Sequence, residues 1–341
     1  KNSLLALTDY AQVVVAGDCL NNLIEIGPQN RLLDWTHGQF LSAENAPEVL
    51  ITLGMGHLSK SIRNFLKENP PRHHWHLCEA GFPPDPLGSL TDVIHCNPHW
   101  FLAHLAEIAY FQFDDKKQIA SQFRQSWIKQ ESGIEATISD ILSDQPWSDF
   151  VAIHKILGQI PSHSGLFAGN SMAVRYVNAL AFRLPVTTQF FANRGTSGID
   201  GCVSTSLGIA KANPDLLLFS ILGDVSFIYD RNGLWGQTIP PNLKIVVINN
   251  GGGNIFRILP GSGKVPELET LFEMDQPLSA RNVAQESGMA YYSIENSKEA
   301  HSVIQSWVAH SGSAILECFT NKIINHTVFS AVKSACNGHK S

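Results

Sequence analysis

Two apolar runs stand out in the 341-residue chain, residues 216–222 and 243–248. Both are rich in Leu, Ile, Val and Phe without alternation, the pattern of strands buried on both faces. Each ends abruptly in polar residues, Gly223-Asp224 after the first and Asn249-Asn250 after the second. The stretch between them is long enough for a crossover, so the strands are predicted to be parallel neighbours. Their carboxyl ends then lie side by side, where open α/β sheets bind ligands.

The same patterning predicts strands over residues 12–16, 48–53, 74–78 and 92–95, and helices over 58–67, 98–110 and 116–130. Residues 19–46 read as irregular, and the first residues run almost at once into a strand. This is a first domain, residues 1–131, that is short of elements. Residues 132–148, with Ser, Gly, Asp and Pro, read as a linker. A second domain covers residues 149–341. It opens with a helix over 149–157 that Ser148 can cap, then a strand at 166–168, a helix through 181, a strand at 186–192 and a helix at 201–212. After the two central strands come a helix at 281–287, a strand at 291–294, a helix at 298–309 and a strand at 314–319. This alternation predicts an α/β protein of two three-layer α/β/α domains with parallel doubly wound sheets, the second sheet having about five or six strands.

Composition narrows the function classes. The formal net charge is −6 with no long run of either sign, which argues against a nucleic-acid or membrane-surface partner. Six scattered cysteines, several inside apolar runs, are the usage of a reducing cytoplasm rather than of a disulfide framework. No apolar stretch reaches about 18 residues, so no membrane insertion is expected. No signal peptide is visible and Lys1 stands first, so the chain reads as a piece of something longer.

The strand ends carry the chemistry. The Asp224 carboxylate, an Asn amide oxygen and a carbonyl of the Gly251-Gly252-Gly253 turn make half an octahedron for Mg²⁺, which completes its shell with water and phosphate oxygens. The glycines let backbone approach a phosphate closely. An ordinary pair of strands with polar ends is the bland alternative. Gly169-Asn170-Ser171 ends a strand and opens a helix, which suits an anion or a plain N-cap at Ser171. Arg175 shares a helical face with Ser171 and suits a carboxylate, or else is a solvated helix residue. The loop 193–201 holds three glycines and places Ile199 either under a ligand or in the core. His73, His74, His76 and Cys78, and His95, Cys96 and His99, lie close in sequence. No C-x-x-C pairing accompanies them, so structural or surface histidines are expected rather than zinc ligands.

Gly-Asp followed some two dozen residues later by Asn-Asn resembles the thiamine diphosphate (ThDP) signature, although many ThDP enzymes have Gly where this chain has Val225. Four blocks in order make the resemblance specific. They are Gly-Asn-Ser-x-x-Val-Arg, Asn-Arg-Gly-x-Ser-Gly-Ile-Asp-Gly, Gly-Asp-x-Ser-x-x-Tyr-Asp and Asn-Asn-Gly-Gly-x-Ile-Phe. Together they resemble one ThDP family, the 2-succinyl-5-enolpyruvyl-6-hydroxy-3-cyclohexene-1-carboxylate synthases of menaquinone biosynthesis, which tolerate an aliphatic residue at the position of Val225. The similarity is strong over residues 150–320 and weaker over 11–110.

The resemblance implies decarboxylation of 2-oxoglutarate and 1,4-addition of the succinyl unit to isochorismate. It implies ThDP and Mg²⁺ as cofactors, with Mn²⁺ as a possible substitute. Asp224, Asn250 and the Gly252 carbonyl would hold the metal. Gly223, Val225, Ser226, Gly253 and Asn254 would cradle the diphosphate. Gly169, Asn170 and Gly198 would complete the cofactor site, with Ile199 bending the cofactor into its V shape. Arg175 and Arg194 would hold the carboxylate derived from 2-oxoglutarate, and Ser171, Ile255 and Phe256 would line the acceptor site. Lys60 falls where the family has a Lys that reaches the active site, but Ser61 replaces that motif's neighbouring Arg. A homodimer or homotetramer with the active site at a subunit interface is also implied. The family needs a Glu from a separate pyrimidine-binding domain, so the chain alone is expected to be inactive. Another ThDP-dependent 2-oxoacid carboligase or decarboxylase, or a non-catalytic fragment, are the other readings.

Overall fold

The computed structural model describes residues 2–10, 13–23, 32–33, 43–54, 56–112, 123–125, 127, 134–259 and 261–338. They fall into two units, Lys1–Ser139 with Ala335–Ser341, and Asp140–Ser334.

The first unit contains α1 (Asn2–Tyr10), β1 (Ala16–Gly17), β2 (Leu32–Leu33), β3 (Val49–Leu53), α2 (Lys60–Glu68), β4 (His73–Cys78), β5 (Asp92–His95) and α3 (Pro98–Gln112). Strands β3, β4 and β5 form a parallel sheet in that order, and β1 pairs with β2. Ser59 caps α2, its Oγ accepting the N–H groups of Ser61 and Ile62. One helix face then buries Ile62, Phe65 and Leu66 with Trp127, the spacing of an amphipathic helix. Three expectations are corrected here. Residues 2–10 are helical rather than leading straight into a strand, and the stretch read as irregular contains β2. The expected strand over 12–16 is observed only at Ala16, continuing to Gly17, with Gln12 outside the described residues. The expected helix over 116–130 lies outside them except for residues 123–125 and 127, which are helical.

Two histidines of β4, His74 and His76, find hydroxyl partners. Thr52 Oγ1 lies 2.9 Å from both His74 Nε2 and His76 Nδ1, and His74 Nδ1 lies 3.0 Å from Ser89 Oγ. Burial lowers the pKa of both rings, which favours neutral imidazoles that share a hydrogen-bond network.

Residues 134–144, read as linker, form helix α4 (Ile134–Asp144). Ile138 and Leu142 are buried on it, one turn apart, so the stretch has an apolar face that its Ser and Asp content obscured. The second unit continues with α5 (Asp149–Leu157), β6 (Gly165–Ala168), α6 (Met172–Ala179), β7 (Gln189–Phe191), α7 (Cys202–Ala212), β8 (Leu218–Gly223), α8 (Asp224–Tyr229), β9 (Leu243–Asn249) and α9 (Ile255–Ile258). It ends with α10 (Arg281–Glu286), β10 (Ala290–Ile294), α11 (Ser297–Ala309), β11 (Ala314–Phe319) and α12 (Lys322–Gly338). The last helix was not anticipated. The six strands run parallel in the order β10-β11-β9-β8-β6-β7. No described helix is long and apolar enough to cross a membrane.

Alternation along the central strands loads both faces of this sheet. Leu218, Leu222, Leu243, Ile245 and Val247 join Val203 and Leu207 of α7 and Val283 of α10 in one core. Phe219, of opposite parity, meets Trp307 of α11 edge-on at a ring separation of 5.5 Å. Two charged residues are buried within the sheet. Lys244 Nζ donates to the carbonyls of His310 and Gly312 at 2.5 and 2.6 Å, satisfying acceptors at the end of α11, and burial lowers its pKa to about 8. Glu317 accepts from Asn249 Nδ2 at 2.7 Å, Ser279 Oγ at 2.6 Å, Tyr291 Oη at 2.7 Å and the Ala280 N–H at 3.0 Å. It thereby ties β9, β10 and the start of α10 to β11.

Chain order places the site. From β6 the chain steps to β7 at one edge, then returns to place β8 on the other side of β6. The carboxyl ends of β6 and β8 flank this switch point, and β9 lies beside β8. Because Glu317 satisfies four donors at once, Glu317→Leu is expected to lower the unfolding free energy by about 3 kcal/mol, and Glu317→Gln by less. Urea denaturation measures this, and a Leu variant as stable as the parent would refute the role given to Glu317.

Candidate functional site

A cavity of about 460 Å³ opens at the carboxyl ends of β6, β8 and β9. It brings together the residues expected there except Lys60, Gly169 and Gly198. Lys60 opens α2 in the first unit and is exposed. Gly169 follows β6, its N–H donating to the Ile221 carbonyl. The Gly198 carbonyl accepts from the Asn170 amide.

Asp224 begins α8 and is buried. Its Oδ1 accepts the Val225 N–H at 2.8 Å and its Oδ2 the Gly251 N–H at 2.9 Å, with Gln276 Nε2 at 3.4 Å. Burial raises its pKa to about 7, the nearby Asp149 charge adds to this, and the N–H donors oppose it. Asn250 follows β9. Its Nδ2 donates to Asp149 Oδ2 at 2.9 Å, while its Oδ1 is buried without a hydrogen-bond partner. The turn behind it needs glycine: Gly251 has φ +80° and Gly252 φ +152°, where a Cβ would run into the Glu273 carbonyl. The Gly253 N–H donates to that carbonyl at 2.5 Å.

Asn170 anchors the loop after β7. Its Nδ2 donates to the carbonyls of Asn193 and Gly198 at 2.8 and 2.5 Å, and its Oδ1 accepts from Arg194 Nη1 at 2.7 Å. Ser226 Oγ donates to the Ile199 carbonyl at 2.6 Å, tying this loop to α8 and setting Ile199 in the cavity wall. Ser171 occupies the N-cap position of α6 but makes no side-chain cap. Its backbone has φ +65°, and its carbonyl accepts from Arg175. Ser197 and Met274 also line the cavity at φ +59° and +48°. Three non-glycine residues held at positive φ around one cavity mark it as a site where local strain is tolerated.

Two observations test whether a phosphate-bound metal fits. The orphaned Asn250 Oδ1 is a hard oxygen donor beside the Asp224 carboxylate in the same lining. A Cβ at Gly223 would meet nothing within 4 Å, so packing inside the protein does not demand glycine there. The bare backbone leaves room for a ligand in the wall of the cavity.

Comparison with known proteins agrees with this geometry. Residues 171–318 match the family model described as thiamine pyrophosphate enzyme, C-terminal TPP binding domain. A 2-succinyl-5-enolpyruvyl-6-hydroxy-3-cyclohexene-1-carboxylate synthase of Cytophaga hutchinsonii is 36% identical over 296 residues, 85% of this chain and 50% of the relative. The Flavobacterium psychrophilum protein of that name is 36% identical over 333 residues, 96% of this chain and 56% of the relative. That of Bacteroides thetaiotaomicron is 32% identical over 284 residues, 82% of this chain and 48% of the relative. This chain belongs to that family of ThDP enzymes. It spans about half the length of the curated relatives it matches.

Sequence reasoning missed several lining residues of this synthase-family site. Asp149 is buried, and its carboxylate accepts from Thr320 Oγ1 at 2.5 Å as well as from Asn250. Burial raises its pKa against these hydrogen bonds. In sequence it is only an acidic residue in the first turn of a capped helix, which the helix dipole explains. Glu273 forms the opposite wall, paired with Arg257 Nε at 2.7 Å and Lys322 Nζ at 3.3 Å. Tyr176 lines the floor with a buried hydroxyl that lacks a hydrogen-bond partner.

The raised pKa of Asp224 fixes a sign. Its carboxyl is neutral in the fold up to about pH 7 but ionises from about pH 4 when unfolded. The unfolded chain therefore holds fewer protons between these values, and stability falls as pH rises through that window. In chelator, Asp224→Asn is expected to be more stable than the parent at pH 8, by as much as about 4 kcal/mol, and close to it near pH 4. Urea midpoints across this range measure the gap, and a pH-independent gap would contradict it.

Proposed function

We propose that this cavity holds the diphosphate of ThDP through Mg²⁺, or Mn²⁺ in its place. The orphaned Asn250 Oδ1 beside Asp224, at the ends of neighbouring parallel strands, carries the reading. Asp224, Asn250 and the Gly252 carbonyl ligate the metal. Gly223, Val225, Ser226, Gly253 and Asn254 surround the diphosphate, and Ile199 supports the cofactor from the loop that Asn170 anchors. When bound, ThDP supplies the electron sink that decarboxylation of a 2-oxo acid requires.

The chain's own residues bind and orient. Arg175 and Arg194 place positive charge at the cavity, suited to the carboxylate of 2-oxoglutarate. Ser171, Ile255 and Phe256 form the wall that takes isochorismate. The overall reaction in this reading is 2-oxoglutarate decarboxylation and 1,4-addition to isochorismate, as a step of menaquinone biosynthesis, and the product in the relatives' name supports it. Leu259, Leu271, Phe272 and Met274 line the cavity while keeping 40%, 73%, 38% and 57% of their surface exposed. That apolar rim supports a homodimer or homotetramer in which a neighbouring subunit covers the site.

The carboxylates lining this cavity are Asp149, Asp224 and Glu273, and Glu273 is engaged by Arg257. The 341 residues alone are therefore expected to bind Mg²⁺–ThDP without turning over 2-oxoglutarate and isochorismate. Calorimetry should detect magnesium-dependent ThDP binding that Asp224→Ala removes. Binding that is indifferent to Asp224 would refute the metal assignment, and turnover by a preparation shown by intact mass to hold only these residues would refute the inactivity.

A further inference from the structure

We propose that Asp149 is a positioning residue that sets the orientation of the Asn250 amide, and so decides that oxygen rather than nitrogen faces the cation. The inference rests on the metal site proposed above. An Asn side chain presents either an acceptor or a donor to a cavity, and only the acceptor binds a metal ion. What selects between the two is the partner on the other side.

That partner is Asp149 at the start of α5, and its surroundings give the network one sense. Asn325 Nδ2 lies 3.4 Å from Thr320 Oγ1, and Asn325 Oδ1 accepts the Asp149 N–H at 2.9 Å. The Thr320 hydroxyl then donates to Asp149 Oδ1 at 2.5 Å. Asp149 Oδ2 accepts from Asn250 Nδ2 at 2.9 Å, and Asn250 Oδ1 is left buried and unpartnered in the cavity wall. Donors converge on the Asp149 carboxylate from two sides, from Asn325 of α12 through Thr320 after β11, and from Asn250 after β9. Turning the Asn250 amide over would set its oxygen against the Asp149 carboxylate and leave its N–H₂ facing the cation. Both contacts are repulsive.

Residues that orient metal ligands in this way typically control 10- to 100-fold in metal affinity. The test uses Mn²⁺ titrated into the full chain at saturating ThDP and read by electron paramagnetic resonance, with thermal melts on the metal-free proteins. Asp149→Ala is expected to raise the Mn²⁺ dissociation constant by about 10- to 100-fold. Asp149→Asn keeps an amide oxygen for the Asn250 N–H and should recover most of that loss. Asn250→Asp alone sets two carboxylates together and should bind Mn²⁺ poorly. Combining it with Asp149→Asn restores a donor–acceptor pair and should restore binding.

An unchanged Mn²⁺ constant in folded Asp149→Ala overturns the proposal. So does failure of the double variant to bind better than Asn250→Asp, which decides the matter if the Ala variant does not fold. A parent chain that binds no Mn²⁺ with ThDP, or binds it equally well as Asp224→Ala, refutes the metal site itself and this inference with it. Loss in Asp149→Ala with recovery in Asp149→Asn leaves the site standing and assigns the residue its role.

Discussion

Two buried carboxylates at the same end of one sheet are the constraint around which the second unit is arranged. Burying a carboxylate without a cation is costly, and each of two neighbours makes the other harder to ionise. Asp149 and Asp224 are both buried and both have raised pKa values, with the Asp149 charge contributing to the shift at Asp224. The protein offsets this with N–H and hydroxyl donors from Val225, Gly251, Gln276, Thr320 and Asn250. Those donors come from α8 and from loops far apart in the chain, so the carboxylates organise the sheet edge as much as they occupy it. A divalent cation between Asp224 and Asn250 would supply the charge that this arrangement lacks.

The remaining walls follow from the same need to satisfy buried polar groups. The Asn170 amide is used up in holding the loop after β7, which brings Arg194 and Ile199 to the cavity. Glu273 holds the opposite wall through Arg257 and Lys322, and its carbonyl accepts the Gly253 N–H. Family membership and this geometry therefore bear on the same stretch of chain, since the ThDP-domain match covers residues 171–318. The matched stretch spans about half of each relative, so their full reaction is a proposal for this chain.

Much of the fold was legible because strands buried on both faces read as unbroken apolar runs. β11 fell on its predicted residues, and β9 ran only one residue beyond its expected end. Helix α4 was not legible, since its buried Ile138 and Leu142 sit among Ser, Thr and Asp that also describe a linker. Strand β2 is two residues long, too short for any period to show. Helix α1 was mistaken for the approach to a strand, because its periodicity competes with an apolar run that follows at once.

The sequence by itself determined the α/β alternation, the parallel central strands and the residue types at their ends. These are local properties, set by side-chain periodicity and by glycine, Asp and Asn at turns. Only the tertiary structure decided which polar groups meet. Asp149 lies 101 positions from Asn250 and 171 from Thr320, and no local pattern encodes that those three side chains share hydrogen bonds. The strand order β11-β9-β8-β6 does encode it, because it brings the start of α5, the end of β9 and the end of β11 to one edge of the sheet. Burial then fixes those partners and leaves Asn250 Oδ1 without one.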